Sequence, residues 1–562
     1  MDFKKLLSTD ISKQLLENEN FSQIKLTGDM LETPSESSLG DIALPCFQFA
    51  KTLRKSPQII ASELFNFLKS PDYISEIKVA GGYLNFYLNK NFFAKIICEE
   101  IFEKQDSSMF NKKEETVIVE YSSPNIAKPF HVGHLCSTLI CDSLSKIYKE
   151  LGYNIVRINY LGDYGTQFGK LIAAYNHWGN EKNLQENPFD ELFKIYVKFH
   201  EESEKDPSLV EEGRMYFKRL EDGCEKEIAL WQRFKDFSLE KFNKLYNRLG
   251  AQFDSYDGES FYSDKMDVAI NTLKEKNLLT LSDGAQVVDL SEENMPPCII
   301  LKADGATIYA TRDIAAAIYR KKAYDFSKMI YVVGIPQSLH FKQFFKVLNK
   351  MGYDWSNDCV HVGFAHVKFA DGKMSTRTGQ VILLDDVLDE AVKRSREKIS
   401  ETYIEANLID KTSEIIGIGA LKYAFLKAGR EKDITFSWDE TLDFNGNSGP
   451  YVQYSYARAK SILNKTNFLS PNKIKIDCDE EFELVKNLSL FKDTVIEAAE
   501  RNEPSVITRY VYNLAKSFNR FYNTCEVIGY KNQSSRLSIV YAFSIIVKKS
   551  LYLLGIETPE KM

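Results

Sequence analysis

The sequence predicts an α/β protein whose centre is a parallel-sheet domain, with an α+β module before it and an all-helical block after it. Three observations carry this. Residues 117–121 form a buried apolar strand, then a polar loop, a helix-like segment to about residue 151, and a second strand, IVRINYLG. Strand, helix, strand in that order implies parallel pairing. A further apolar strand, MIYVVG at 329–334, follows another helical stretch. From about residue 384 onward the periodicity is helical to the end.

Taken in order, residues 1–112 read as a separate module. Amphipathic helices fit 3–18 and 57–69, and GGYLNFYLN reads as a strand opened by Gly81-Gly82. A charged linker, KQDSSMFNKKEE, covers 104–115. The central domain is expected over 113–385. A charged helical insertion, whose charges read mainly as a solvated face, lies at about 175–250. The sheet is expected to resume after it, through the alternating segments up to residue 302. A connecting helical region covers 386–441, and a last helical domain 442–562. Pro124 is expected to hold Ser123 extended.

With 562 residues, 44% hydrophobic and 27% charged, the composition is that of a globular protein of several domains. No run of 18 apolar residues exists, so no membrane span is expected. The N-terminus lacks the pattern of a targeting peptide. The nine cysteines include no C-x-x-C pair, which points to reduced thiols, a cytoplasmic location and no structural metal. A net charge of −7 argues weakly against nucleic acid. However, residues 441–562 hold 16 Lys and Arg against 13 Asp and Glu, so a local patch can meet a polyanion.

The chemistry concentrates in TVIVEYSSPNIAKPFHVGHLCST, residues 116–138. His131-Val132-Gly133-His134 places two imidazoles at a helix N-terminus beside the carboxyl end of a strand. Free backbone N–H groups and the helix dipole favour phosphate there. Gly133 would let a flat base or sugar approach the backbone. The histidines can donate to phosphate oxygens as charge builds in a transition state. Taken alone, four residues are equally compatible with packing or capping. The Gly-rich turn at 162–169 reads either as a contact to a second substrate or as a plain turn. Far downstream, Asp371-Gly372-Lys373-Met374-Ser375-Thr376-Arg377 is a basic, hydroxyl-rich loop whose Lys373 and Arg377 suit phosphates. Tyr309 and Asp313 are four apart and would share a helix face. Tyr451, Tyr454, Arg458 and Ser461 also share one, which by spacing alone reads as core with a snorkelling arginine.

H-x-G-H paired with a distant K-M-S loop is the double signature of class I aminoacyl-tRNA synthetases, and the chain resembles the arginyl-tRNA synthetases. The matching stretches are LGDIALP, GGYLNFYL, VEYSSPNIAKPFHVGHL, INYLGDYGTQFG, IYATRD, GKMSTRTG and GPYVQYSYARAKSI, in that order along nearly the whole chain. The resemblance implies a Rossmann-like catalytic domain, an N-terminal module touching the tRNA elbow, and a helical anticodon-binding domain. It implies arginine activation by ATP with Mg2+, then transfer to tRNA(Arg), by a cytoplasmic monomer. ATP would lie on His131, Gly133, His134, Lys373, Met374 and Ser375. Arginine would lie among Glu120, Ser123, Pro124, Asn125, His134, Glu259, Tyr309, Asp313 and Gln337. Tyr451, Tyr454 and Arg458 would meet the anticodon loop.

The sequence departs from the family's K-M-S-K-S pattern at Thr376, where the second lysine is expected; Arg377 follows, and Lys128 is the nearest substitute cation. Two other readings stand beside this one. A small-molecule nucleotidyltransferase of the H-x-G-H type would not need the helical C-terminal domain. A silent tRNA-binding paralogue would have lost the central motifs. A bland reading of Asp313, pairing with Arg312 or Arg320, competes with a substrate role.

Overall fold

The computed structural model describes residues 3–128, 130–369, 383–399, 408–468, 474–559 and 561–562. The chain divides into two compact units. One comprises Met1–Ser107, Arg458–Phe491 and Asn513–Val547; the other comprises Ser108–Ala457, Lys492–Tyr512 and Lys548–Met562.

In the first unit, helices Phe3–Leu16, Pro57–Phe67 and Lys90–Glu103 pack with a three-stranded antiparallel sheet. The strand order is Ile42–Pro45, Tyr83–Leu88, Ile74–Ala80. Ser56 caps the second helix by accepting from the Ile59 N–H, and Pro57 fits its first turn. Ile60, Leu64, Leu84 and Phe86 are buried between helix and sheet. This module packs with later helical segments of the same unit, where Phe93 meets Phe482 edge-on at 5.7 Å and Lys90 pairs with Asp479 at 2.7 Å.

The second unit is built on a four-stranded parallel sheet. Its order is Cys359–Phe364, Lys328–Gly334, Thr116–Glu120, Asn154–Ile158. Val117, Ile118 and Val119 are fully buried in a central strand, as expected for a sheet covered on both faces. Helix Val132–Glu150 covers one face and buries fourteen of its nineteen residues. Helix Tyr309–Tyr324 and the Ile314, Phe341, Phe344 and Met329 core cover the other.

Two sequence expectations are corrected here. The alternating segments before residue 302 do not rejoin the parallel sheet. They form a separate antiparallel sheet of Leu279–Ser282, Ala285–Val288 and Cys298–Leu301. The cause is local: Asp283 and Gly284 both have positive φ, 48° and 79°, the geometry of a tight hairpin turn that returns the chain antiparallel. Nor is the region after 384 wholly helical, since Ile434–Phe436 pairs in parallel with Val367–Phe369. The insertion is helical as expected, with helices Glu181–Glu186, Pro188–Lys205, Ser208–Glu221 and Glu225–Leu249. Gly250, at φ 62°, ends the last of these.

Candidate active site

The loop between strand Thr116–Glu120 and helix Val132–Glu150 is bent by three non-glycine residues in the left-handed region: Ser122 (φ 69°), Ser123 (φ 47°) and Ala127 (φ 58°). Ser123 is therefore not extended, although Pro124 follows it. A buried polar network holds it there instead. Its N–H donates to Tyr121 O at 2.9 Å and lies 3.2 Å from Asn159 Oδ1. Ser122 Oγ meets Tyr246 OH at 2.7 Å, and Asn159 Nδ2 donates to the same hydroxyl at 2.9 Å. The Ser122 N–H donates to Ser137 Oγ, and the Ala127 N–H to Ser238 Oγ, both at 3.1 Å. Such left-handed residues cost of order 1–3 kcal/mol each and persist only where surroundings over-determine them. Sequence reasoning missed Asn159, Ser238 and Tyr246. The last two come from the insertion helix, more than a hundred residues away, and carry no local signal.

His131 caps helix Val132–Glu150 reciprocally with His134. The Gly133 N–H donates to His131 Nδ1 at 3.1 Å, and the His131 N–H to His134 Nδ1 at 3.3 Å. The rings lie 4.0 Å apart, centroid to centroid. With Nδ1 accepting in both, each neutral ring carries its proton on Nε2. Burial pushes His134 down to about 3, with His131 adding to the effect, and burial lowers His131 too. Capping thus fixes the tautomer that leaves Nε2–H as a donor, so the capping and catalytic readings of the motif are compatible. A Cβ at Gly133 would stand 2.9 Å from His131 Cε1, so the capping ring by itself favours glycine there.

These histidines, with Asn125 and Lys128, line a cavity of about 410 Å3. Its opposite wall is Phe193, Tyr196, Val197 and His200 of helix Pro188–Lys205. One exposed face of the insertion, including the charged Glu201 and Glu204, therefore also lines this cavity. Lys128 Nζ lies 5.9 Å from the Tyr196 ring centre. Lys373, Met374, Ser375 and Arg377 lie outside the described residues.

The Gly-rich turn is a brace. Gly162 pairs with Asn125, and a Cβ there would meet Asn125 Oδ1 at 2.3 Å. Asp163 is fully buried and takes Lys235 Nζ at 2.6 Å, the Ser260 N–H at 2.8 Å and Ser260 Oγ at 2.7 Å. This ties the insertion helix to the turn that carries Glu259.

Three of the residues expected around arginine, Glu120, Glu259 and Asp313, form an acidic cluster with resident partners. Glu120 is buried and paired with Arg320, which is 1% exposed and also donates to Tyr262 OH at 3.2 Å. Burial raises the Glu120 carboxyl, and Arg320 opposes that. Glu259 accepts from Arg312 Nη1 at 2.9 Å, and burial pushes it up to about 7 against the pull of Arg312. Asp313 shares the helix face with Tyr309 as expected, but its partner is neither Arg312 nor Arg320. Its Oδ2 lies 2.8 Å from His340 Nε2. Tyr309 is 58% exposed and sits edge-on to His340 at 4.9 Å. Gln337 is exposed at the N-cap position of helix Ser338–Lys350, without a side-chain capping hydrogen bond. Among the described residues, Arg312 Nε, Arg320 Nη2, Tyr160 OH and Tyr331 OH are buried without a protein partner.

Tyr451 and Tyr454 are half-buried on helix Gly449–Lys465, with Tyr451 5.5 Å from the Tyr512 ring. Arg458, in the other unit, donates to Asn519 Oδ1 at 3.0 Å and lies over Tyr522. Among the described residues, one cluster has metal-ligand spacing: Cys478, Glu480 and Cys525. Two thiols and a single carboxylate do not suit Mg2+, which prefers oxygen. No helix among the described residues is long and apolar enough to cross a membrane.

The family model for "tRNA synthetases class I (R), catalytic domain" matches residues 97–438. The chain belongs to the class I arginyl-tRNA synthetases. The arginyl tRNA synthetase N-terminal domain matches residues 2–88, and the DALR anticodon binding domain 452–562. The arginine–tRNA ligase of Clostridium acetobutylicum is 52% identical, and that of Clostridium perfringens 50%, each over the full length of both chains. The Thermus thermophilus arginyl-tRNA synthetase structure superposes at a TM-score of 0.81 with 26% identity, covering 100% of both chains. The Plasmodium falciparum enzyme gives the same score and identity over 100% of this chain and 99% of its own. As an arginyl-tRNA synthetase, the chain is an ATP-dependent arginine–tRNA ligase. These likenesses lend no support to the small-molecule nucleotidyltransferase alternative.

Proposed function

We propose that this arginyl-tRNA synthetase uses the described cavity to bind ATP and the acidic cluster to read arginine. The observation that carries it is the pair of neutral imidazoles with Nδ1 engaged and Nε2–H available. ATP, brought as its Mg2+ complex, presents phosphate oxygens to these two donors and to Lys128. The arginine carboxylate oxygen attacks the α-phosphorus, the bond to pyrophosphate breaks, and arginyl-adenylate forms. A terminal ribose hydroxyl of tRNA(Arg) then attacks the carbonyl carbon and AMP leaves. Both steps are problems of positioning and charge stabilisation, which fixed neutral donors supply without reorganising. Lys373 is assigned to the leaving pyrophosphate by resemblance, and Arg377 of the same basic loop to the nucleotide's phosphates by its charge.

Arginine's guanidinium is assigned to Asp313 and Tyr309, with Glu259 and Glu120 setting the field around them. Ser123, Pro124, Asn125 and Gln337 border the amine and carboxylate end. Tyr451, Tyr454 and Arg458 are assigned to the anticodon loop, and residues 1–112 to the tRNA elbow. The expected protein is a cytoplasmic monomer with boundaries near 112, 385 and 441. The decisive experiment is arginine-dependent ATP–pyrophosphate exchange, run with and without tRNA(Arg). Exchange that requires tRNA supports the reading. Exchange with no amino-acid dependence would refute it.

A further inference from the structure

We propose that His340 is a positioning residue for arginine recognition: it holds one carboxylate oxygen of Asp313 so that the other faces the guanidinium. The inference rests on the assignment of Asp313 to the guanidinium. Three carboxylates cluster at this end of the sheet. Two are already matched by permanent cations, Glu120 by Arg320 and Glu259 by Arg312. Among the described residues, Asp313 is matched only by an imidazole. Of these three carboxylates, Asp313 is the one left without a permanent positive charge paired to it among the described residues. The arginine side chain supplies that charge.

The geometry of His340 suits a fixed support. Its side chain is 11% exposed, against 21% for Asp313, so the imidazole is the more enclosed partner. Phe344 lies parallel to the ring at 6.1 Å, Phe341 edge-on at 5.2 Å and Tyr309 edge-on at 4.9 Å. Aromatic neighbours on several sides leave the imidazole one orientation, with Nε2 directed at Asp313 Oδ2 at 2.8 Å. Tyr309 is itself assigned to the guanidinium, so His340 touches both recognition residues. The hydrogen bond to one oxygen favours the Asp313 rotamer that makes it and leaves the other oxygen open to a donor. Lysine, with one point charge on a flexible stem, gains less from that placement than arginine's planar fork. A site whose support is loose by about 1 Å loses much of its selectivity.

The test is ATP–pyrophosphate exchange by the full-length enzyme with tRNA present, on His340→Leu, His340→Gln, Asp313→Asn and the His340→Leu/Asp313→Asn double variant. His340→Leu should raise the arginine KM about tenfold or more while leaving kcat and the ATP KM near their original values. His340→Gln, which keeps an N–H donor near the position of Nε2, should recover most of that loss. In the double variant the leucine should add little to the effect of Asp313→Asn, because partners acting through one group are non-additive. If Asp313→Asn raises the arginine KM and His340→Leu does not, the proposal is overturned and the assignment of Asp313 stands. Leu and Gln variants that are equally impaired would also overturn it, since ring packing and not hydrogen bonding would then be the cause. If His340→Leu does not fold, His340→Phe keeps the ring and removes the donor, and the same comparison with His340→Gln decides. An Asp313→Asn enzyme with an unchanged arginine KM defeats the underlying assignment and this proposal with it.

Discussion

Replacing Asp313 by Asn keeps the shape of the side chain and removes its charge. In the structure Asp313 is one-fifth exposed and its Oδ2 is 2.8 Å from His340 Nε2. Removing one partner of a buried charge pair typically costs about 2–5 kcal/mol. At about 1.4 kcal/mol per factor of ten, kcat/KM for arginine should fall by roughly 30-fold to several thousand-fold. Partial exposure of the carboxylate places the expected value near the middle, about 100- to 300-fold. The Asn side chain can still accept from His340, so the fold around it should survive. ATP should bind normally, because the cavity at His131 and His134 is lined by other residues. The assay is ATP–pyrophosphate exchange with arginine and with citrulline, its neutral isostere. The wild-type enzyme should discriminate strongly between them, and Asp313→Asn should lose most of that discrimination. Equal discrimination by both enzymes would refute the reasoning and move the guanidinium partner to Glu259.

Three further outcomes follow from the geometry. Lys128→Ala should lower kcat for activation by about 10²–10³, the usual cost of one transition-state donor, with the arginine KM nearly unchanged; a normal kcat would remove Lys128 from the phosphate site. Glu259 titrates near 7 because burial opposes its charge, so arginine, a cation, should bind more tightly as pH rises through about 7 and that proton leaves. Measured as arginine KM against pH, this dependence should flatten in Glu259→Gln, and an unchanged profile would contradict it. Arg320→Met leaves the buried Glu120 without its cation, and urea unfolding should show a loss of about 3–5 kcal/mol. A variant as stable as the parent would mean that Glu120 is protonated in the folded state.

Much of this molecule was legible without coordinates, for a physical reason. Strand Thr116–Glu120, helix Val132–Glu150 and strand Lys328–Gly334 announce themselves because their side chains are buried by periodicity, and periodicity is local. H-x-G-H is legible because both histidines act at one helix terminus within four residues. Family resemblance, carried by seven ordered stretches, supplied the site residues that lie far apart. The left-handed φ of Ser123 was not legible, because Asn159 and Tyr246 set it from other elements. The hairpin through Asp283 and Gly284 was misread because alternation marks a strand without saying which sheet it joins.

What only the tertiary structure decided is pairing. From the sequence, Glu120, Glu259 and Asp313 are three acidic residues of equal standing. Folding gives the first two arginine partners, from the same helix that carries Asp313, and gives Asp313 a histidine from the next helix. Likewise, the sequence alone made helix Pro188–Lys205 a charged surface, and packing turned Phe193, Tyr196 and His200 toward the H-x-G-H cavity. The chain's local chemistry determined which groups are available. Long-range packing determined which charges are already satisfied, because an ion pair depends on distances of a few ångströms between residues that sequence separates by tens or hundreds.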